Sequence, residues 1–114
     1  LETYSETFSR LTDSNNTNQN CLVAHSGETL HGLVHYIFHA DNWETTDVCY
    51  VQDLFTLKEV RRQGIAKALI QAVYKAADTN GTPSVYWMTQ EFNKKARTLY
   101  DQVASLTPFI IYER

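Results

Sequence analysis

The chain has 114 residues and a mass of 13.1 kDa, which leaves room for one hydrophobic core and excludes two domains within it. Ten Lys and Arg residues against 13 Asp and Glu residues give a net charge of -3 and a pI near 5.7, which argues against a surface that binds nucleic acid by broad phosphate neutralisation. A local basic cluster can still bind a small anion.

The cysteines and the apolar runs bear on the compartment. Cys21 and Cys49 form no CxxC motif and are too few for a disulfide framework, so a reducing compartment is the default, with one bridge between them left open. No apolar run of 18 residues and no signal peptide is visible, so no membrane contact is expected. We therefore expect a cytoplasmic protein, or a nuclear one in a eukaryote.

The first third of the chain predicts a helix and a hairpin. Apolar residues recur at spacings of three and four over 1–12, the period of an amphipathic helix. The polar segment 13–20 favours a surface loop. Segments 21–25 and 30–40, separated by a turn at 26–28, predict two antiparallel strands.

A third strand is predicted over 48–57. Apolar residues on both of its sides indicate a central position in a sheet. Strict alternation places Asp53 on the same side as Val51 and Phe55.

The second half of the chain predicts a βαβ unit. The clearest helix covers 64–79, and a strand over 84–89 follows it. Because the whole helix separates this strand from the one over 48–57, the two could pair in parallel. A second helix over 93–103 and a last strand over 109–112 complete the prediction.

The segment 59–66, with the sequence EVRRQGIA, lies between a predicted strand and the long helix. A helix start exposes unpaired backbone N–H groups and the positive end of the dipole, so an anion is favoured there. Gly64 lets the backbone approach a ligand closely, and Arg61 and Arg62 add positive charge. A phosphate-bearing ligand is the natural guest, and the alternative for an isolated RxxGxA motif is an ordinary exposed turn. The motifs GxxxxGK[ST] and GxGxxG are absent.

The order of strand, RxxGxA, helix, strand and second helix resembles the core of the GNAT superfamily of acetyl-CoA-dependent N-acetyltransferases. Arg61, Gly64 and Ala66 fit the family's Q/R-x-x-G-x-G/A loop, which cradles the pyrophosphate of coenzyme A. The segment 93–100 looks like the family's N-x-x-A-x-x-L-Y motif. The similarity covers about 32–114 and is closest to a fungal-type subgroup that includes histone, polyamine and D-amino-acid N-acetyltransferases.

The resemblance implies one GNAT-like domain over 1–114, of the α/β (α+β) class, with a mixed, largely antiparallel sheet and a parallel βαβ core that binds acetyl-CoA. A complete domain of this family starts with a strand and a helix that help to shape the acceptor pocket. This chain begins with Leu1 rather than Met, and we expect it to be truncated and to lack both elements.

The implied activity is direct transfer of acetyl from acetyl-CoA to a primary amine, which could be a small amine, an amino acid, a polyamine or a protein lysine. The alternative from another class is a non-catalytic CoA-binding or protein-interaction domain. No metal is expected in either case.

The resemblance also assigns a coenzyme site. The third strand would hydrogen-bond the pantetheine arm, and the loop and the helix start would bind the pyrophosphate. The first turn of the second helix would also contact the coenzyme. The cofactor-binding residues expected on this basis are Leu54, Phe55, Thr56, Leu57, Arg61, Arg62, Gln63, Gly64, Ile65, Ala66, Lys67, Asn93 and Ala96. Asn93 could equally be only a helix N-cap.

Tyr100 and Asp53 are the expected catalytic residues. Tyr100 would donate its proton to the departing thiolate, a step that is uphill by about 2 kcal/mol for an ordinary phenol and thiol. The alternative for Tyr100 is an aromatic residue at the edge of the core. Asp53, Gln52 and Glu91 are the polar candidates for a base, and burial beside Val51 would make Asp53 a stronger one. Asp53 could instead be a hydrogen-bonded structural carboxylate.

Three histidines, His31, His35 and His39, recur every four residues. On a strand they share one side, but neighbouring ones lie about 13 Å apart, too far for one metal ion. His39 could line the acceptor pocket or be a solvated residue at a strand end. Cys49 fits a small core residue better than a nucleophile.

The predicted last strand over 109–112 has consecutive apolar residues, Ile110 and Ile111. Long apolar sheet edges are normally covered, so we expect a homodimer or a higher homo-oligomer.

Overall fold

The computed structural model describes residues 2–114. It consists of a four-stranded sheet with helices packed around it. Its elements in chain order are α1 (Glu2–Thr12), β1 (Gln19–Ser26), β2 (Thr29–His39), β3 (Val48–Thr56), a 3-10 turn (Lys58–Val60), α2 (Ile65–Thr79), β4 (Val85–Trp87) and α3 (Lys94–Val103). The sheet order is β1-β2-β3-β4, antiparallel except for the parallel pair β3 and β4. The predicted mixed sheet with a parallel βαβ unit is confirmed.

The core lies between α2 and one face of the sheet. The helix predicted over 64–79 forms as α2, and its residues Leu69, Ile70, Val73 and Ala77 are buried. Against it pack buried sheet residues, which are Val34, Tyr36, Phe38, Cys49 and Val51. Each large apolar side chain buried in this way contributes about 1.5–3 kcal/mol. The opposite face of the sheet, called here the open face, carries the odd-numbered residues of β2.

A β-bulge in β3 changes which face its residues occupy. His35 pairs with Asp53 and Tyr36 pairs with Val51, so Gln52 is the extra residue. Val51 is buried against α2, whereas Asp53 is exposed on the open face. The prediction that these two residues share one side is wrong, because strict alternation fails across a bulge.

Two predictions near the end of the chain need correction. The fourth strand covers only Val85–Trp87, shorter than the predicted 84–89. The predicted last strand over 109–112 is wrong, because no strand forms there within the described chain and the side chains are 66–91% exposed. Apolar and β-branched residues favour a strand only where a neighbouring strand and a packing surface are available, and this segment has neither.

Both cysteines are free, with Cys21 exposed on β1 and Cys49 buried on β3. The bridge that the sequence left open is therefore not formed. Among residues 2–114, no helix combines the length and the apolar character needed to span a membrane.

Candidate functional site

The two parallel strands separate at one end of the sheet. Pairing between β3 and β4 ends at Val51 and Trp87, one residue before the bulge at Gln52. Beyond this point, residues 53–56 pair only with β2 among the described elements. One edge of β3 therefore faces a cleft instead of another strand.

The cleft has a volume of about 250 Å³. Typical pockets for whole drug-sized ligands begin near 300 Å³, so the cleft suits the reacting end of a longer ligand. The residues that line it come from β3, α2, the end of β4 and α3, and they are Val51, Gln52, Asp53, Leu54, Ile70, Trp87, Met88 and Tyr100.

Tyr100 reaches the cleft from α3. Its ring packs edge-on against Trp87, with ring centroids 5.3 Å apart. Burial raises the pKa of the Tyr100 phenol above its ordinary value of 10. At neutral pH the hydroxyl therefore keeps its proton and can donate a hydrogen bond into the cleft.

Two local contacts hold α3 in place. The side chain of Asn93 accepts a hydrogen bond from the amide of Ala96 at 3.3 Å, so Asn93 is the N-cap of the helix. At the other end, the hydroxyl of Tyr74 on α2 donates to the carbonyl of Val103 at 2.9 Å. Tyr100 thus lies on a helix that is capped at its start and hydrogen-bonded to α2 at its end.

The start of α2 presents free backbone donors. The first bond inside the helix joins the amide of Ala68 to the carbonyl of Gly64, at 3.0 Å. The three amides that precede it, at residues 65–67, are not capped by any side chain in the described part of the chain. Free amides together with the helix dipole favour an anion at this position.

The loop before α2 has an unusual backbone. Gly64 has a φ of 78° and Arg62 a φ of 69°, both in the left-handed region. A non-glycine residue there is held in a costly conformation, a feature that clusters at functional sites. A Cβ added at Gly64 would meet no atom within 4 Å, so the space beside the free amides is open. Arg61 is exposed, and its Nε donates to the carbonyl of Thr56 at 3.4 Å.

The loop and the cleft lie along the same helix. Ile65 begins α2, and Ile70 lines the cleft. At 1.5 Å per residue they are about 7.5 Å apart along the helix axis. One extended ligand can therefore reach both places.

The strand residues predicted for the coenzyme site have different surroundings. Leu54 lines the cleft, whereas Phe55 lies on the open face and is half exposed. The carbonyl of Thr56 accepts from the Arg61 side chain, and the amide of Leu57 donates to the carbonyl of His31 at 2.8 Å. The Leu57 amide is therefore already paired within the protein.

The predicted base candidates are spread around the cleft. Gln52 and Asp53 line it, whereas Glu91 is exposed in the connection between β4 and α3. The side chain of Asp53 is 57% exposed, so the burial that was expected to make it a stronger base is missing. Its Oδ2 instead lies 3.0 Å from Nδ1 of His35.

Sequence reasoning missed the pairing of His35 with Asp53, and considered His35 only as part of a metal set. The three strand histidines share one side as expected, and His39 places its Nε2 2.7 Å from the hydroxyl of Tyr86. No group of three or more possible metal ligands is found among residues 2–114. The register between β2 and β3 is the signal that joins His35 to Asp53, and one sequence does not reveal it.

Residues 1–104 match the family described as Acetyltransferase (GNAT) family. Over 83 residues the chain is 40% identical to the D-amino-acid N-acetyltransferase HPA3 of Saccharomyces cerevisiae. The aligned region covers 73% of this chain and 52% of the yeast protein. Over 56 residues it is 34% identical to the L-ornithine N5-acetyltransferase NATA1 of Arabidopsis thaliana, covering 49% of this chain and 25% of the plant protein. The chain thus spans about half the length of the yeast relative, or less in the plant case.

Solved structures share the fold. The aminoglycoside N-acetyltransferase AAC(6')-Iy, solved in complex with CoA, superposes with a TM-score of 0.78 over 100% of this chain and 94% of that one, at 18% identity. At this level of identity the likeness establishes the fold alone.

Proposed function

This chain belongs to the GNAT acetyltransferase family, and we propose that it transfers acetyl directly from acetyl-CoA to a primary amine. The observation that carries the proposal is the cleft at the point where β3 and β4 separate, with the protonated hydroxyl of Tyr100 inside it. The free amides at the start of α2 lie along the same helix as the cleft wall.

The residues at the start of α2 fit the phosphates of acetyl-CoA. The uncapped amides of residues 65–67 and the open space beside Gly64 accommodate an anion, and Arg61 and Arg62 supply positive charge. The edge of β3 at residues 53–56, which β4 leaves unpaired, can hydrogen-bond the amide groups of the extended pantetheine arm. An added strand pairs with a sheet edge in the same way.

Acetyl-CoA supplies a thioester that is activated for transfer of its acetyl group. Tyr100 is placed to donate a hydrogen bond to the sulfur as the C–S bond breaks. Because burial raises the pKa of this phenol, complete proton transfer to a thiolate is even less favourable than for ordinary groups. We therefore assign Tyr100 the role of a hydrogen-bond donor that stabilises the leaving sulfur.

The acceptor is proposed to be an amine of the amino-acid or polyamine class. The yeast and plant relatives are named for a D-amino acid and for L-ornithine. A net charge of -3 favours the approach of cationic acceptors. D-amino acids, ornithine, spermidine and a lysine peptide form a panel that separates these possibilities.

The proposal is tested by measuring thiol release from acetyl-CoA with this panel, alongside calorimetric titration of acetyl-CoA. Tyr100→Phe should lower turnover about 100-fold, because the donor is lost, with unchanged affinity for acetyl-CoA. Tyr4→Phe on the exposed face of α1 is the matched control and should behave like the parent. Binding without turnover in the parent and in both variants would instead support a non-catalytic CoA-binding domain.

A further inference from the structure

A histidine–carboxylate pair lies on the open face of the sheet beside the cleft. His35 on β2 and Asp53 on β3 are directly opposite each other in the strand register. Nδ1 of His35 lies 3.0 Å from Oδ2 of Asp53, and the two side chains are 27% and 57% exposed. The pair is therefore preformed and still accessible to a ligand.

The β-bulge at Gln52 creates this pair. Without the extra residue, alternation would place Asp53 on the side of Val51, facing α2. With it, Asp53 turns to the open face and meets His35. Bulges are frequent beside active sites, where they redirect a side chain.

The hydrogen bond decides the tautomer of His35. An ionised carboxylate only accepts hydrogen bonds, so Nδ1 carries the proton and donates it to Asp53. Nε2 then holds a lone pair, and this atom has no hydrogen-bond partner within residues 2–114. A ring whose lone pair is aimed outward by a carboxylate has the arrangement of a general base.

The residues that line the cleft come from both faces of the sheet. Ile70 reaches it from α2, whereas Asp53 reaches it from the open face. A ligand held at the start of α2 thus extends into the cleft from one side. The open face remains for the second substrate, and His35 lies on that side.

Residues on the two strands paired with β2 determine the charge around His35. From β3 it faces Asp53, and from β1 it faces Cys21, its partner in the strand register. Burial raises the pKa of the Cys21 thiol, so this neighbour is neutral at pH 7. His31 and His39 lie about 13 Å away along β2. Asp53 is therefore the charged group that acts on the ring from the two paired strands.

We propose that His35, positioned by Asp53, is the base that takes the proton from the ammonium group of the acceptor, directly or through one water. This inference rests on the proposed function. The N–H bond of the ammonium breaks and its proton moves to Nε2 of His35. The lone pair of the neutral amine then forms the new C–N bond, and the C–S bond breaks with its electron pair going to sulfur, to which Tyr100 donates a hydrogen bond. The nitrogen loses its second proton as the amide forms, and this proton passes through water to the thiolate, which leaves as the thiol of CoA.

The need for such a base is large. An alkyl amine with a pKa near 10.4 is neutral in only about one molecule in a thousand at pH 7. A positioned base is worth about 100-fold to 10,000-fold. Asp53 acts in this scheme as a positioning residue and not as the base itself.

The first test compares His35→Gln with His25→Gln. His25 is an exposed histidine whose ring lies within hydrogen-bond distance of the carbonyl of Gly27 in the adjacent turn, so it is a matched control. We expect kcat/KM of His35→Gln to fall about 100-fold at pH 7 and the control to be unchanged. The deficit should shrink as the pH rises towards 9, because the neutral fraction of the amine grows about tenfold per pH unit.

The second test determines which ring nitrogen of His35 carries the proton, without any substrate. Nitrogen-15 NMR of the free chain should show His35 protonated at Nδ1. Asp53→Ala should abolish that preference, because the acceptor of the Nδ1 proton is gone. Asp53→Ala should also lower kcat/KM, and the double variant with His35→Gln should be no slower than His35→Gln alone, because Asp53 acts through His35.

The outcomes separate the two proposals. Turnover in His35→Gln that equals the parent, or a deficit of the same size at every pH, overturns the base assignment and leaves the acetyltransferase function standing. A free chain with His35 protonated at Nε2 also overturns it. If the parent turns over none of the amines, the proposed function fails and the base assignment fails with it.

Discussion

The two cysteines show how the position of a strand in the sheet changes the exposure of one residue type, since β1 and β3 lie on either side of β2. Cys49 lies in the core under α2, and burial raises the pKa of its thiol to about 11. Cys21 lies on the exposed side of β1. At pH 8 only about one Cys49 thiol in a thousand is a thiolate, and only the thiolate reacts with alkylating reagents.

We therefore expect iodoacetamide at pH 8 to modify Cys21 at least about ten times faster than Cys49 in the folded chain. Raising the pH towards 11 should increase the reactivity of Cys49, because its thiolate fraction grows in that range. Peptide mass spectrometry measures both rates, and the denatured chain, in which both sites should react alike, is the control. Equal rates in the folded chain would contradict the buried position of Cys49.

Asp53 shows how far residue-scale reasoning reaches. The sequence marked it as a functional carboxylate on the third strand, and the structure places it at the cleft. The expected reason, burial beside Val51, is wrong. Which face a strand residue occupies depends on the register with its neighbour, and the bulge at Gln52 is a property of the pair of strands.

At the scale of elements, the two ends of α2 provide a matched pair of glycines. Gly64 precedes the helix and Gly81 follows it, with φ values of 78° and 71°, and a Cβ added at either one meets no atom within 4 Å. The same substitution should therefore cost about the same at both positions, roughly 1–2 kcal/mol of stability.

Only Gly64→Glu should weaken acetyl-CoA binding, by more than about tenfold, since its carboxylate can occupy the free amides and repel phosphates. Gly81→Glu has the same charge and the same backbone strain, and should bind like the parent. Calorimetric titration of acetyl-CoA into both variants measures this. Equal affinities in the two variants would place the phosphates elsewhere.

The N-cap of α3 allows a stability role to be separated from a binding role. Asn93→Ala should lower the free energy of unfolding by about 1 kcal/mol, because the hydrogen bond to the Ala96 amide is lost. Asn93→Ser keeps a capping oxygen and should retain most of that stability. Urea denaturation measures the difference, and an alanine variant as stable as the parent would show that the cap does not hold the helix.

The same pair of variants addresses the coenzyme contact expected of Asn93. If the amide contacts acetyl-CoA, Asn93→Ser should keep its stability and bind more weakly. If Asn93 acts only as the cap, Asn93→Ser should bind as well as the parent.

Most elements were predictable because their signals are local. The helix over 64–79, the cap at Asn93 and the shared side of the histidines on β2 each depend on residues within a few positions of one another, and all three are found in the structure. The segment 109–112 had the same local signal for a strand and forms none. Strand formation needs a partner, and a partner is not a local property.

At the scale of the whole molecule, the segment 106–112 exposes a run of large apolar side chains. These are Leu106, Phe109, Ile110, Ile111 and Tyr112, each at least 66% exposed. So many large apolar side chains exposed within seven residues favour association.

The homo-oligomer expected from the sequence stays a prediction, now placed on this exposed segment rather than on a sheet edge. Sedimentation velocity should show a concentration-dependent oligomer for the parent. Ile110→Lys should shift it towards the monomer, and Ser105→Lys, which adds the same charge outside the apolar run, should not. A parent chain that is monomeric at all concentrations would contradict the prediction.

The sequence by itself determined the order of the four strands and three helices, the glycine loop before α2 and the motif around Tyr100, although it also predicted a strand over 109–112 that does not form. These features depend on the periodicity and the short spacings of residues along the chain, which can be read without knowing how distant segments pack. Tertiary structure alone decided the bulge at Gln52, the cleft beside it and the partnership of His35 with Asp53, residues 18 positions apart in the chain. Their physical cause is the register and separation of paired strands, which is set only when distant segments pack together.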